Sequence, residues 1–270
     1  QRRFVTVVKR PEGGTWQDPR TVEGELLCPA RWDAEDVALK EKRLGSYATA
    51  GQLQQRPSPE LGGILKRHWF RYWQHPGDTY PPVKVKLPSG EHEDIKPVDL
   101  PWAFDRALES WDMTFKGSTG TDYVVGQKWG KKGADAYLID QSRDRRDFPE
   151  TLAEVRRFHA EHKRYPGQII IEDKANGPAI ISTLKREIPG IIPHPGNDDK
   201  VARAHAHAYL VESGNVYLPH PKIASWVETF IAECCVYDNG AHDDQVIAWS
   251  QAMDELYKVE DSGVAITPQY

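Results

Sequence analysis

The stretch from Gly167 to Gly177, GQIIIEDKANG, constrains this chain more than any other. Three consecutive isoleucines between turn-forming residues are the pattern of a short strand buried on both faces, as in a parallel sheet covered by helices. The run ends in adjacent carboxylates, Glu172 and Asp173, then Lys174 and a small-residue turn. An acid where such a strand leaves the sheet stands at the carboxyl edge, where open α/β sheets hold their ligands. The alternative is that both acids open the following helix near Asn176, as solvated first-turn carboxylates that suit the helix dipole.

The surrounding chain supplies the rest of such a sheet. ESWDMTF, YVVGQKWG and ADAYLIDQ are strand-like runs separated by Gly-containing turns, which predicts an antiparallel meander. FPETLAEVRRFHAEHKR carries Phe148, Leu152, Val155 and His159 at helical spacing, with Pro149 suited to the first turn. The isoleucine strand follows, and the connection predicts a parallel crossover onto the meander. Four more helices are predicted, in NGPAIISTLKREI, DDKVARAHAHAYLVESG, KIASWVETFIAECCVYD and GAHDDQVIAWSQAMDEL, with short strands at Ile191-Ile192 and VYLP. The order predicts an α/β fold, a mixed sheet with helices on both faces.

The first part of the chain reads differently. FVTVV at 4–8 is strand-like with no obvious local partner, and a turn-rich connector follows it. A helix is expected from Asp33 to about Leu44, with an Asp cap, and a short one over Ala48–Gln55. LKRHWFRYW at 65–73 is basic and aromatic, suited either to stacking on bases or to packing against a neighbouring body. VKVKL lies among Pro and Gly signals between 76 and 101, the mark of an exposed hairpin. We divide the chain into an irregular linker segment, 1–75, and a main domain, 76–270, with its core at about 100–258.

Three acidic stations stand out. Asp112 lies between Trp111 and Met113 on the first meander strand, where a charge is costly unless paired or metal-bound. Glu172 and Asp173 end the isoleucine strand, and Asp243 and Asp244 open the final helix. Individually, Asp112 facing solvent by strand alternation and Asp243 acting as an N-cap are the plain alternatives. One acid per element, on three elements that the topology draws together, is an oxygen site for a hard cation, Mg²⁺ or Mn²⁺ rather than zinc. Two such ions roughly 3.5–4 Å apart form the clamp used for in-line phosphodiester hydrolysis.

Several classes are excluded. Lys plus Arg is 35 against Asp plus Glu 40, a formal charge of -5, so any nucleic-acid surface has to be local. The cysteines, Cys28 and the vicinal Cys234 and Cys235, make neither a disulfide framework nor a zinc spacing, which points to a reducing compartment. No run approaches the ~20 apolar residues of a membrane span, and the first residues lack a signal-peptide pattern. The nearest approach to a phosphate-binding P-loop, GQKWGKK at 126–132, is one residue short, and Lys132 stands where the motif needs Ser or Thr.

EGELLCPARWD with LGSYATAGQLQQRPSP, SWDMTFKGSTGTDYVVG, IEDKANGPAII, DKVARAHAHAYLVESGNVYLP and HDDQVIA, in this order, resemble the nuclease half of a tailed-phage large terminase. That resemblance implies an RNase H-like fold and a metal-dependent endonuclease that cuts double-stranded concatemeric DNA. The implied ligands and catalytic residues are Asp112, Glu172 and Asp244, with Asp173 the alternative at the second station and Asp243 at the third. Many members have a further acid in the last motif, where this chain has Ile247. The resemblance implies two Mg²⁺ or Mn²⁺ ions, a portal protein and a small terminase subunit as partners, and the host cytoplasm as location. It also implies an N-terminal ATPase domain in the full-length chain, which the present residues lack.

Lys116, Lys174, Lys200 and Arg203 are candidate DNA contacts; for each, a solvated charge or surface ion pair is the plain alternative. His205 and His207, two apart on a helix, point away from each other, whereas His242 beside Asp243 is placed to meet a water or phosphate. Arg143, Arg145 and Arg146, interleaved with acids, read as a solvated turn. Two other functions stand beside the nuclease: a docking module for DNA, portal or small subunit, and another RNase H-like enzyme of the resolvase or transposase type. Acids at all three stations argue against the first, and the LGSYATAGQLQQRPSP segment against the second.

Overall fold

The computed structural model describes residues 26, 28–40, 63–113, 123–174, 177–195, 199–237 and 242–258, with the backbone of 7–9 and 15–17. Strand β1 (Val7–Lys9) pairs antiparallel with β2 (Thr15–Gln17), so the first strand does have a local partner, across a Pro- and Gly-rich segment. Residues 34–40 form α1, and Asp33 Oδ1 accepts from the Asp36 N–H at 2.8 Å, the expected cap. The short helix expected over 48–55 lies outside the described residues.

The next strands are β3 (Arg71–Gln74), the hairpin of β4 (Val83–Lys86) and β5 (His92–Ile95), and β6 (Val98–Asp99). The meander is β7 (Arg106–Asp112), β8 (Val124–Lys132) and β9 (Asp135–Asp144), antiparallel throughout. GQKWGKK thus lies inside a strand rather than in a loop opening a helix. Then come α2 (Phe148–Glu161), β10 (Gln168–Glu172), α3 (Gly177–Leu184), β11 (Ile191–His194), α4 (Lys200–Glu212), β12 (Val216–Pro219), α5 (Val227–Val236) and α6 (Asp244–Leu256). Asp147 and Glu150 close a reciprocal capping box at the start of α2.

Eight strands form one mixed sheet in the order β11-β10-β7-β8-β9-β12-β3-β6. Strand β10 is parallel to both β7 and β11, so the isoleucines are central, and Ile169, Ile170 and Ile171 are fully enclosed. Strand β3 lies between β12 and β6, and Ile64, Leu65, Phe70, Tyr72 and Trp73 are buried. Residues just before the expected boundary at 75 therefore pack with the body that follows, and the aromatics of 65–73 serve that packing.

The two faces of the sheet carry separate cores. Leu108, Trp129 and Ile170 pack with Phe230, Val246, Trp249 and Met253 on the face of α4, α5 and α6. Trp111, Ile169 and Ile171 pack with Val155, Phe158 and Ile180 on the face of α2 and α3. Side chains alternate along each strand. Hence Ser110 and Asp112 share the α6 face with Leu108, and Glu172 shares it with Ile170. On the opposite face Glu109 meets Lys128 at 3.6 Å and His159 of α2 at 2.9 Å.

Candidate active site

The parallel register sets two carboxylates side by side. Ile171 pairs with Trp111, so the next residues, Glu172 and Asp112, end neighbouring strands at the same level. Strands in a sheet lie about 4.8 Å apart. Asp112 is 0 % exposed and Glu172 4 %. On its other side Glu172 pairs with His194 of β11. Glu172 Oε2 lies 3.9 Å from Lys200 Nζ at the start of α4. Its Oε1 is buried and finds no hydrogen-bond partner among the described residues. A buried carboxylate oxygen left in that state is costly unless a cation or donor arrives to meet it.

Helix α6 carries the third station at its start. Ser110 Oγ donates to Gln251 Oε1 at 3.4 Å, which fixes the helix over the Asp112 face. Asp244, its first residue, is buried, while Asp243 before it is exposed and makes no side-chain cap bond. Among the described residues, no group of three or more His, Cys, Asp or Glu is drawn tightly enough to hold a metal ion as it stands. The donors present nevertheless suit a hard divalent cation: buried carboxylate oxygens on one sheet edge, one of them unsatisfied.

An amide chain that the sequence reading missed ties the start of α6 to the sheet. Gln245 donates to Glu233 of α5 through its backbone N–H at 2.7 Å and its side-chain amide at 2.6 Å. Gln141 donates to Gln245 Oε1 at 2.8 Å, and Gln127 donates to Gln245 O at 3.0 Å and to Gln141 Oε1 at 2.9 Å. Arg143 donates to Glu233 Oε2 at 3.2 Å. Nothing in the spacing of these residues along the sequence signals the chain, because it joins four separate elements.

The remaining candidates fall in different settings. Asp173 and Lys174 are exposed, and the Asp173 N–H donates to His194 O at 2.9 Å. Lys116 lies outside the described residues. Arg203 is 4 % exposed, with Nε donating to Ser250 Oγ of α6 at 3.0 Å, so it sits between two helices rather than on the surface. His207 Nε2 bonds Asp254 Oδ1 at 2.5 Å, and His194 Nε2 lies 3.8 Å from Asp254 Oδ2. Arg143, Arg145 and Arg146 do not form a simple solvated turn. Arg146 lies 3.6 Å from Glu154 of α2, whose carboxyl is held below its ordinary range chiefly by the Arg157 hydrogen bond.

A mixed sheet of this order, helices on both faces and acids at the carboxyl edge define an RNase H-like domain. Residues 109–256 match the family model described as the terminase RNaseH-like domain, more than half of the chain, and the chain belongs to that family. No curated protein matches the sequence. Among solved structures, the large terminase of a thermophilic bacteriophage is similar with a TM-score of 0.53 at 12% identity, over 84% of this chain and 53% of that one. The large terminase nuclease of thermophilic phage G20c with bound magnesium is similar with a TM-score of 0.48 at 16% identity, over 73% of this chain and 99% of that one. The same nuclease with bound zinc has a TM-score of 0.47 at 16% identity, over 70% and 95%. The chain thus spans about half, 53%, of the first of these proteins and nearly all of the G20c nuclease.

Proposed function

We propose that this chain is the nuclease domain of a tailed-phage large terminase. It is a divalent-metal-dependent endonuclease that cuts concatemeric double-stranded viral DNA during genome packaging. The observation that carries the reading is the pair Asp112 and Glu172, buried at the ends of adjacent strands, with one Glu172 oxygen finding no hydrogen-bond partner among the described residues. A DNA-docking surface gains nothing from buried acids; a hydrolase with a metal centre needs them. Asp112, Glu172 and Asp244 would hold Mg²⁺ or Mn²⁺, two ions in the active complex. Asp243 is the alternative at the third station and Asp173 at the second, although both are exposed. When bound, the ions supply positive charge for activating water and for stabilising the leaving oxygen.

The chain's own residues do the rest. Lys200, beside Glu172, offsets charge at the carboxylates until the cation and phosphate arrive. Lys174, Lys116 and Lys200 are proposed to meet the DNA backbone, which positions the duplex without reading its sequence. Arg203 contributes indirectly, holding α4 against α6 through Ser250. The proposed partners are double-stranded DNA, the portal protein, the small terminase subunit and an ATPase domain of the full-length chain, in the host cytoplasm.

The test is plasmid cleavage by the purified chain in Mn²⁺ or Mg²⁺, with and without EDTA. Metal-dependent conversion of supercoiled plasmid to linear product is expected. Cleavage that persists in EDTA, or none in either metal with duplex bound, would overturn the reading.

A further inference from the structure

The sheet face that carries Asp112 leads sideways to a basic and aromatic cluster. Asp112 pairs with Val125, and Val125 with Arg143, so the three form one row across β7, β8 and β9. Two strand spacings put the Arg143 backbone about 10 Å from that of Asp112. Tyr123 lies two residues before Val125. Arg143 Cζ is 3.7 Å and Arg145 Cζ 4.9 Å from the centroid of its ring. His242, two residues before Asp244, meets the same ring edge-on with centroids 5.2 Å apart. One tyrosine ring therefore joins the end of β9 to the lead-in of α6, beside two of the acidic stations.

The two arginines differ in what they have left to bind. Arg143 is half-buried and already bonded to Glu233 at 3.2 Å. Arg145 is exposed, and no carboxylate among the described residues lies within ion-pair distance of its guanidinium. Its neighbour Asp144 is 3.9 Å from Arg146 instead. A guanidinium seated on an aromatic ring is ordered before it binds, and its planar fork matches a phosphate. An ordered cation in water, with no carboxylate among the described residues at ion-pair distance, is suited to an anion from outside the chain.

We propose that Arg145, seated on Tyr123 and backed by Arg143 and His242, grips a backbone phosphate of duplex DNA flanking the cut. The substrate class rests on the nuclease reading above; the site does not. Because the ring already carries guanidinium groups, the contact is to phosphate rather than to a stacked base, and it is sequence-neutral. The DNA therefore crosses the β8–β9 side of the carboxylates. In a chain of net charge -5, this is the kind of local cationic patch that binding requires.

The test is binding of a short fluorescent duplex by the 270-residue chain in EDTA, across a series of KCl concentrations. Arg145→Ala is expected to weaken binding several-fold and to lower the slope of log K against log salt by about one. Tyr123→Ala is expected to weaken it as well, whereas Tyr123→Phe keeps the ring and binds as wild type. Arg156→Ala removes an exposed arginine paired with Glu187 on α2 and should change little. Melting temperatures of each variant separate lost contacts from lost folding. Wild-type affinity and slope in both Arg145→Ala and Tyr123→Ala would overturn the proposal, as would an equal loss in Arg156→Ala or a wild-type chain that does not bind duplex. Cleavage, assayed separately with Asp112→Asn, tells the readings apart: a chain that binds through Arg145 but does not cut refutes the nuclease alone. One that cuts while Arg145→Ala binds normally refutes the clamp alone.

Discussion

Glu233 of α5 accepts both the backbone N–H and the side-chain amide of Gln245, at 2.7 Å and 2.6 Å, immediately after Asp244. One buried carboxylate thus fixes the first turn of α6, where an unsatisfied N–H would otherwise remain. Glu233→Ala removes that acceptor and strands Arg143, which should cost about 1–3 kcal/mol of stability. Because Asp244 begins the same turn, cleavage should fall further than the melting temperature alone explains. The decisive readout is the Mn²⁺ concentration for half-maximal cleavage, which should rise in Glu233→Ala. An unchanged metal requirement would reduce Glu233 to a purely structural role.

Asp112→Asn keeps the shape of a buried side chain and deletes its charge. Cleavage should be abolished while folding is retained, since the mutant removes a donor from the proposed metal site. The checks are plasmid cleavage in Mn²⁺ and the melting curve of the same preparation. A folded mutant that cuts at the wild-type rate would take Asp112 out of the site.

A half-buried pair, His162 at the end of α2 and Asp140 on β9, predicts a pH dependence away from the site. Burial of His162 works against its charge, but hydrogen bonds to Asp140 and to Phe158 O outweigh it and raise its pKa above the ordinary 6.5. A histidine raised on folding stabilises when protonated. The contribution is complete below 6.5 and is lost as pH rises through the raised folded value. The melting-temperature gap between wild type and His162→Gln should therefore be wide at about pH 5.5 and narrow by about pH 8.5. A gap that stays constant or widens with pH would contradict this.

What the sequence made legible was whatever local pattern decides. The β-branched run at 169–171, the meander with its Gly turns, the helical spacing from Phe148 and the cap at Asp33 are local signals, and each formed the expected element. Asp112 and Glu172 could be read because a charge beside Trp111 or ending three isoleucines conflicts with its neighbours. Arg203 was harder: spacing sets Lys200 and Arg203 on one side of α4, but only the packing of α4 on α6 decides that this part is buried. Strand β3 carries aromatics that suit several roles, and its partners β12 and β6 are assigned by the assembled sheet. The amide chain from Gln127 to Glu233 joins four elements, and no sequence spacing announces it.

The choice between Glu172 and Asp173 can be settled by metal-linked stability. Glu172 is buried beside Asp112, whereas Asp173 is exposed and turned past the strand end. Neighbouring carboxylates repel, and a cation that relieves the repulsion binds the folded state only. Linkage then stabilises the fold by RT ln(1 + [L]/Kd), about 2.7 kcal/mol at a hundredfold excess over Kd. Affinity without DNA should be weak, because Mg²⁺ keeps its waters until substrate phosphates complete its shell. Millimolar Mn²⁺ is therefore expected to raise the melting temperature by a few degrees, and Mg²⁺ by less. The shift should shrink sharply in Asp112→Asn, Glu172→Gln and Asp244→Asn, and only slightly in Asp173→Asn. If Asp173→Asn loses the shift while Glu172→Gln keeps it, the ligand at the end of β10 is Asp173, and the buried Glu172 oxygen is held for another purpose.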